Sequence, residues 1–325
     1  MDPLSKKSTS PLLWDLFCTS SLIGIWPRFI EPRLIFTTCL NLPIPNLSDD
    51  LAGFKILQIS DIHFNNFTSE AFLNKLIKKC EALKPDLIVM TGDFICYSNL
   101  DEPERLKSFL QRFHAPYGCY AVLGNHDYAS FVSVNDNGDY DIIDSSAASS
   151  SLSRAFLRLA KTTTLTKTTT EKAKNTPFHL KLMEMINDTP FKLLHNETST
   201  ISVKNTKLNI CGLGEYCLKK INTDQAFKNY DEQYPGILLL HNPDGAPSLK
   251  DCPGDVILSG HTHGGQVNLP WMWKKFTLLE NMKFKKGLVK SDNKWIYINR
   301  GLGSVLPFRW FSPPEILLLT LETKR

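Results

Sequence analysis

Three features of the sequence predict a layered α/β fold, two packed mixed β-sheets flanked by helices. Short, uniformly apolar runs alternate with stretches of helical periodicity, as expected of strands buried on both faces. Polar residues able to do chemistry follow several of those runs, at the strand ends where open α/β sheets place ligands. The chain has 325 residues, 42% hydrophobic and 22% charged, with 37 basic and 33 acidic side chains for a net charge of +4. That ordinary globular balance excludes disordered, collagen-like and coiled-coil classes.

Residues 1–50 read as a membrane-proximal extension ahead of a domain spanning 51–325. Residues 11–30 (PLLWDLFCTSSLIGIWPRFI) are apolar but interrupted by Asp15 and by Thr19, Ser20 and Ser21. They fall short of the roughly 18 uninterrupted apolar residues of a spanning helix. Leu12, Leu13, Leu16, Phe17, Ile23 and Trp26 could share one broad helical face, lying in a bilayer interface or packed on the domain.

From Phe54 the elements follow in order. FKILQIS (54–60) is a strand. Residues 69–83 are a helix with apolar Phe72, Leu73, Leu76, Ile77 and Cys80, stopped by Pro85. LIVMT (87–91) is a second strand, 104–113 a second helix and 119–123 a third strand. An insertion then occupies residues 130–177. Thirteen of the 26 residues from Ser145 to Thr170 are Ser or Thr, the composition of a surface segment or lid, with a helix over 153–161 between flexible arms. A helix over 178–187 follows, then strands at 208–212, 236–240, 255–258, 295–298 and 316–321, which form a second sheet packed on the first. The eight cysteines are scattered without a Cys-x-x-Cys pair, which reads as reduced thiols in a cytosolic compartment.

Five short motifs carry the chemistry, each after an apolar strand: Ser60-Asp61-Ile62-His63, Gly92-Asp93, Gly124-Asn125-His126-Asp127, His241-Asn242-Pro243-Asp244 and Gly260-His261-Thr262-His263-Gly264-Gly265-Gln266. Singly they are weak, since an Asp-x-His arises by chance and a Gly-Asp after a strand is a common turn. Jointly they supply carboxylate, imidazole and amide oxygen with no thiolate, a donor set suited to Mn²⁺, Fe²⁺ or Zn²⁺. A pair of ions needs a shared oxygen ligand, which one Asp between two ligand groups provides. His114, His179 and His195 lie outside the motifs and read as structural.

The five motifs resemble the calcineurin-like metallophosphoesterase family, whose pattern runs D-x-H, G-D, G-N-H-D/E, H and G-H-x-H, over residues 54 to about 320 apart from the insertion. The resemblance implies the four-layer α/β/β/α metallophosphoesterase fold and two divalent metal ions, expected to be Mn²⁺. It implies that Asp61, His63 and His263 hold one ion, that Asn125, His241 and His261 hold the other, and that Asp93 bridges them. His126 matches the general acid or transition-state stabiliser, with Asp127 orienting it. The implied reaction is in-line attack on phosphorus by a hydroxide bridging both ions. No Gly-x-Ser-x-Gly elbow offers a side-chain nucleophile instead.

Asn299-Arg300-Gly301-Leu302-Gly303 and Pro313-Pro314-Glu315-Ile316 resemble a bacterial membrane-associated phosphodiesterase subgroup of that family, and are expected at the rim of the site. Residues 272–309 hold nine basic and two acidic side chains, interleaved with aromatics in Trp271–Phe276 and Phe308–Phe311. Such a mixture suits a lipid headgroup region, or equally a core strand with a charged outer face. The chain also resembles enzymes that cleave UDP-2,3-diacylglucosamine to UMP and 2,3-diacylglucosamine 1-phosphate in lipid A biosynthesis. That implies a lipid-linked nucleotide as substrate, peripheral contact with the cytoplasmic face of the inner membrane, and no nucleic-acid partner. The alternatives are a membrane-associated phosphodiesterase for another nucleotide or lipid headgroup, and a metal-stabilised scaffold without turnover.

Overall fold

The apolar runs become two six-stranded sheets laid face to face. These elements come from a computed structural model that describes residues 11–144, 164–270, 272–277, 279–306 and 308–324. The first sheet has the order β1 (Phe36–Ile44), β14 (Glu315–Thr323), β2 (Lys55–Ile59), β3 (Leu87–Thr91), β4 (Cys119–Val122) and β7 (Phe191–Leu193). In it β2, β3, β4 and β7 are parallel, while β14 runs antiparallel to β2. The second has the order β12 (Gly287–Ser291), β13 (Lys294–Ile298), β11 (Val256–Ser259), β10 (Gly236–Leu239), β9 (Thr206–Gly212) and β8 (Glu197–Val203). Its four central strands are parallel and its two edges antiparallel. Both sheets are mixed, as the sequence predicts, but the strand expected over 316–321 in the second sheet is β14 of the first, paired with β1 and β2.

Three apolar layers hold the sheets. Ile56, Val89, Val122, Ile210, Ile237, Leu239, Leu258 and Leu319 interdigitate between them. The outer face of the first sheet is covered by the helices Glu70–Ala82, Pro103–Leu110 and Leu180–Asn187, which contribute Leu73, Leu76, Leu106, Phe109 and Ile186. Short helical turns, including Pro243–Leu249, cover the outer face of the second around Leu238, Ile257 and Ile296. The Glu70–Ala82 helix begins where Ser69 accepts a hydrogen bond from Phe72 N, and it buries Leu73, Leu76, Ile77 and Cys80 at helical spacing.

The structure corrects the expected boundary at residue 50. Strand β1 lies in the domain's own sheet, paired in parallel with β14 from Phe36 opposite Glu315 to Ile44 opposite Thr323. Only the residues before it stand outside the sheets. The helix expected over 11–30 is not uniform. Pro11–Ser20 is an α-helix, but Ser21–Ile30 widens into a π-helical run containing Pro27. Leu13, Trp14, Leu16, Phe17, Leu22, Ile23, Ile25, Phe29 and Ile30 are all 41–62% exposed. The segment is tied down where it ends. Glu31 is buried, and its carboxylate accepts from Trp26 Nε1 (2.7 Å), Phe311 N (3.0 Å) and Ser312 N (2.5 Å). Among the described residues no helix is long and apolar enough to cross a membrane.

Of the 130–177 insertion, the described parts form a hairpin of β5 (Val132–Val134) and β6 (Tyr140–Ile142), with Tyr140 bridged to Thr169. The helix expected over 153–161 lies outside the described residues.

Candidate metal centre

Parallel strands deliver the motifs to one place. β2, β3 and β4 of the first sheet and β10 and β11 of the second end at a common edge, and Asp61, Asp93, Asn125, His241 and His261 follow them directly or within three residues. Gln58 binds the two sheets together beneath that edge, donating to Thr91 Oγ1 (3.0 Å) and to the Ser259 carbonyl (2.9 Å).

The backbone there is unusual. Asp61, His63, Asp93, His261 and His263 have φ of 50°, 46°, 56°, 69° and 50°, the left-handed region that most side chains avoid. Turning each residue this way aims its side chain back across the strand ends. The flanking glycines are required for the close approach that results. A Cβ on Gly124 would lie 2.2 Å from Asp93 Oδ1, and one on Gly260 would lie 2.3 Å from Asp61 Oδ2.

Two groups of donors converge. Asp61, His63 and His263 offer ligand atoms all within 4.8 Å of one another, and so do Asp93, His241 and His261. In the first group His63 Nε2 lies 3.0 Å from His263 Nε2. In the second, Asn125 Oδ1 lies 3.2 Å from His241 Nε2 and 3.1 Å from His261 Nδ1. Asp93 joins them, because its Oδ2 is 3.5 Å from His63 Nε2 and 3.2 Å from His241 Nε2. All seven side chains therefore converge on one place.

The donors are also aimed. His241 Nδ1 donates to the Thr91 carbonyl (2.6 Å), which turns the Nε2 lone pair inward. Asn125 Nδ2 donates to the Val132 carbonyl (2.7 Å), which leaves Oδ1 facing the histidines. His63 Nε2 and His263 Nε2 are 3.0 Å apart, and Asn125 Oδ1 lies 3.1–3.2 Å from His261 Nδ1 and His241 Nε2. These spacings match neighbouring ligands on one ion, since two bonds of about 2.1 Å at a right angle put their donors about 3.0 Å apart. The residues present thus fit a pair of divalent cations.

Electrostatics agree with that fit. Burial pushes Asp61 up to about 7, helped by the Asp93 carboxylate. Burial also pulls His63 down to about 4 and His261 to about 3. Against the burial that would lower it, the Asp93 carboxylate holds the His241 imidazole well above its ordinary value. Cations would relieve this mismatch by pairing with Asp61 and Asp93 and displacing the proton from His241.

His126 stands beside both groups, its ring 4.6 Å from that of His63 and 4.2 Å from Phe131. Burial holds its pKa well below the usual value, so it is neutral near pH 7. Tyr97 N donates to its Nδ1 at 2.9 Å, which fixes the proton on Nε2. Asp127 does not have the expected place. Its Oδ2 accepts from Asp93 N (2.7 Å) and Gly124 N (2.9 Å), and its Oδ1 from Phe94 N (2.8 Å) and Ile95 N (3.2 Å). All four bonds go to backbone, so Asp127 staples two loops and Tyr97 N does the orienting of His126. A backbone amide has no signature in a sequence, and nothing there could have revealed it.

Arg309 was also missed as a site residue. It is fully buried, and its Nη2 donates to His263 Nδ1 (3.2 Å) while Nη1 donates to the carbonyls of Arg300 and Ser312 (2.9 Å each). The Gly301–Gly303 loop braces the first motif more than it forms a rim: Leu302 N donates to the Ser60 carbonyl and Gly303 N to that of Asp61. The aromatic-basic stretch divides between the two readings. Met272, Phe308 and Trp310 pack on buried Val267 and Leu306, while Phe311 is 50% exposed.

A two-layer sheet core whose strand ends converge on two acid–imidazole groups is an arrangement suited to metal-dependent hydrolysis, and comparison with known proteins gives the family. The calcineurin-like phosphoesterase profile matches residues 54–265, and the chain belongs to that family. It is 41% identical over 318 residues to the UDP-2,3-diacylglucosamine pyrophosphatase LpxG of Chlamydia trachomatis, covering 94% of this chain and 95% of that one. It is 40% identical over 308 residues to the protein of the same name from Chlamydia muridarum, covering 92% of each. An uncharacterised metallophosphoesterase of Bacillus subtilis, YkuE, is 28% identical over 306 residues, covering 92% and 89%. The chain is a metal-dependent phosphoester hydrolase.

Proposed function

We propose that this hydrolase cleaves the pyrophosphate of UDP-2,3-diacylglucosamine, releasing UMP and 2,3-diacylglucosamine 1-phosphate, and that it works while resting on the cytoplasmic face of the inner membrane. The observation that carries the reading is the single Asp93 oxygen between two histidine groups, in a chain alike from end to end to two enzymes named for that substrate.

Asp61, His63 and His263 would hold one cation and Asn125, His241 and His261 the other, with Asp93 shared and Mn²⁺ the ion expected. Cations held there would supply charge neutralisation at phosphoryl oxygens and a more acidic bound water. The chain's own groups do the rest. His126 Nε2–H, the one proton of a neutral imidazole, would donate a hydrogen bond to a phosphoryl oxygen or to the leaving UMP or sugar phosphate oxygen as charge develops there. Phe131, Val134 and Val305 line the cavity beside it, with Ser133, Thr277 and Gln266 as polar neighbours. The apolar residues of 11–30, exposed around the helical run, are suited to an interface rather than to a crossing, and would bring the site to a substrate whose acyl chains stay in the bilayer.

The test is incubation of the full chain with Mn²⁺ and UDP-2,3-diacylglucosamine, followed by mass analysis. UMP release that stops on chelation and on Asp93→Ala is the expected result. Cleavage of aryl phosphodiesters without UMP release would overturn the substrate, and full activity under chelation would overturn the metal assignment.

A further inference from the structure

His263 opens an unusual run of backbone. His263, Gly264, Gly265 and Gln266 have φ of 50°, 60°, 91° and 49°, four consecutive residues in the left-handed region. A run of this kind keeps its shape only where its neighbours over-determine it. Those neighbours come from the C-terminal segment. Ser312 Oγ donates to the His263 carbonyl (2.6 Å) and Trp310 N to the Gln266 carbonyl (2.9 Å), while Gln266 Nε2 donates to the carbonyls of Leu306 and Phe308 (3.1 Å each).

That segment is held in turn by the N-terminal extension. The Glu31 carboxylate accepts from Phe311 N and Ser312 N, and the Pro27 carbonyl accepts from Arg309 N (2.8 Å). Glu31 lies ahead of the residues 54–265 that match the family profile, so no motif of the site points to it. We infer that Glu31 is a positioning residue for the metal centre, holding His263 at its ligand position through Ser312.

The path is short and each step is a strong contact. Hydrogen bonds from backbone N–H to a carboxylate are charge-assisted, and are shorter and stronger than neutral ones. Glu31 makes two of them to adjacent residues, one on each oxygen, and this fixes the peptide that carries Ser312 in both place and direction. Ser312 then passes the constraint on through its hydroxyl. Gly264 is what lets it come so close, since a Cβ there would lie 2.6 Å from Ser312 Oγ. Removing the Glu31 carboxylate leaves the 309–312 segment without two of its backbone acceptors, and the left-handed run then loses the rigidity of its support. The exposed apolar run 11–30 thus ends on a residue that serves the site, which makes the extension a structural part of the metal centre as well as a membrane contact. This inference rests on His263 being a metal ligand.

The experiment titrates Mn²⁺ into the metal-stripped full-length chain by calorimetry, without substrate, and follows amide exchange at residues 263–267. Glu31→Ala should bind Mn²⁺ about tenfold more weakly, the scale on which losing a residue that supports a ligand weakens a metal site, and exchange at 263–267 should quicken. Ser312→Ala removes the hydroxyl but keeps the amide on Glu31, and should weaken binding in the same direction. The double variant should fall short of the product of the two single effects, because both act along one path. Leu51→Ala is the control for stability alone. Leu51 is fully buried just before β2, at the end of that strand remote from the site. Its truncation should lower the urea midpoint and leave Mn²⁺ affinity within about twofold. Affinity of Glu31→Ala within about twofold of wild type, or unchanged exchange at 263–267, would overturn the inference, and a double variant equal to the product would overturn the route through Ser312. Should Glu31→Ala fail to fold, Glu31→Gln, which keeps one acceptor oxygen, takes its place with the same expected direction and the same refuting result. A wild type that binds no Mn²⁺ would overturn the metal assignment itself, whereas the exchange at 263–267 reads the link from Glu31 alone.

Discussion

Replacing Asp127 by Asn tests whether this residue serves His126 or the loops beneath the metal centre. The carboxylate accepts four backbone N–H bonds, two per oxygen, and is wholly buried. An amide keeps one oxygen and turns an NH₂ group toward the other pair of donors. Two charge-assisted bonds disappear and two buried N–H groups lose their acceptor, at about 1–3 kcal/mol each. The expected loss is about 4 kcal/mol. Because Asp93 N and Gly124 N are among the donors, the loops carrying Asp93 and Asn125 should loosen together and metal affinity should fall. Urea denaturation of the metal-stripped chain reads the first effect, with a midpoint lowered by more than about 1 M for a slope near 3 kcal/mol per M. Activity against Mn²⁺ concentration reads the second, as a raised half-saturation. If Asp127→Asn instead keeps its stability to within about 1 kcal/mol and its metal dependence, losing turnover alone, the stapling argument is wrong and the older expectation of a His126 partner returns.

Three other outcomes follow from named contacts. Glu31→Ala removes the acceptor of Phe311 N and Ser312 N, so the chain should lose about 2–3 kcal/mol and amide exchange should quicken at residues 309–312; unchanged protection there would refute the tie. Mn²⁺ binding must displace a proton from Asp61, whose carboxyl sits near 7, and another from His241, which Asp93 keeps charged. His63 and His261, near 4 and 3, are already neutral. Affinity measured by calorimetry should therefore rise with pH, more steeply below about 7 than above, and a flat profile from about pH 5.5 to 7 would contradict the proton count. Finally, Phe17→Glu with Ile23→Glu should reduce flotation with anionic vesicles while hydrolysis of a soluble aryl phosphodiester stays within about twofold, since these side chains face solvent; undiminished flotation would exclude the helical run as the membrane contact.

What was legible in the sequence depended on whether a residue's partners leave a mark in its own segment. KILQI, LIVMT, CYAV, GILL and VILS are almost entirely buried, so their uniform apolarity announced them. Strand β1 did not announce itself. It is an edge strand, FTTCLNLPI, half polar, mostly exposed at its start and carrying Pro43, which only an edge tolerates. Only its apolar end is buried in the core, Leu42 and Ile44, with Leu40 half-buried against it. The candidate ligand residues were legible because metal chemistry demands particular side chains. The groups that aim them were not: the Thr91 carbonyl behind His241 and the Tyr97 amide behind His126 are backbone. Asp127 misled for the converse reason. Beside a histidine it reads as that histidine's partner, whereas three of its four donors come from residues 93–95, more than thirty positions away.

The backbone at the centre explains why those supports must be so dense. Five of the seven ligand candidates sit at positive φ, a conformation that costs on the order of 1–3 kcal/mol per residue, somewhat less for Asp and His than for bulkier side chains. Five together approach the about 5–15 kcal/mol by which a whole domain is stable. Such a cluster persists only if its surroundings leave it no alternative. They do so through backbone bonds that lock each turn to its neighbour: Asp61 N to the Gly92 carbonyl, His63 N to that of Asp93, Gly260 N to that of His241, and Gly303 N to that of Asp61. Each of these bonds links one motif to another or to the C-terminal loop, so no turn can relax alone. The core between the sheets supplies the stability that holds the turns, and the turns hold the donors at the spacing a pair of cations requires. Strain and function are then one property of the same residues, which is why the glycines that permit the close approach, Gly124 and Gly260, lie beside the ligands they accommodate.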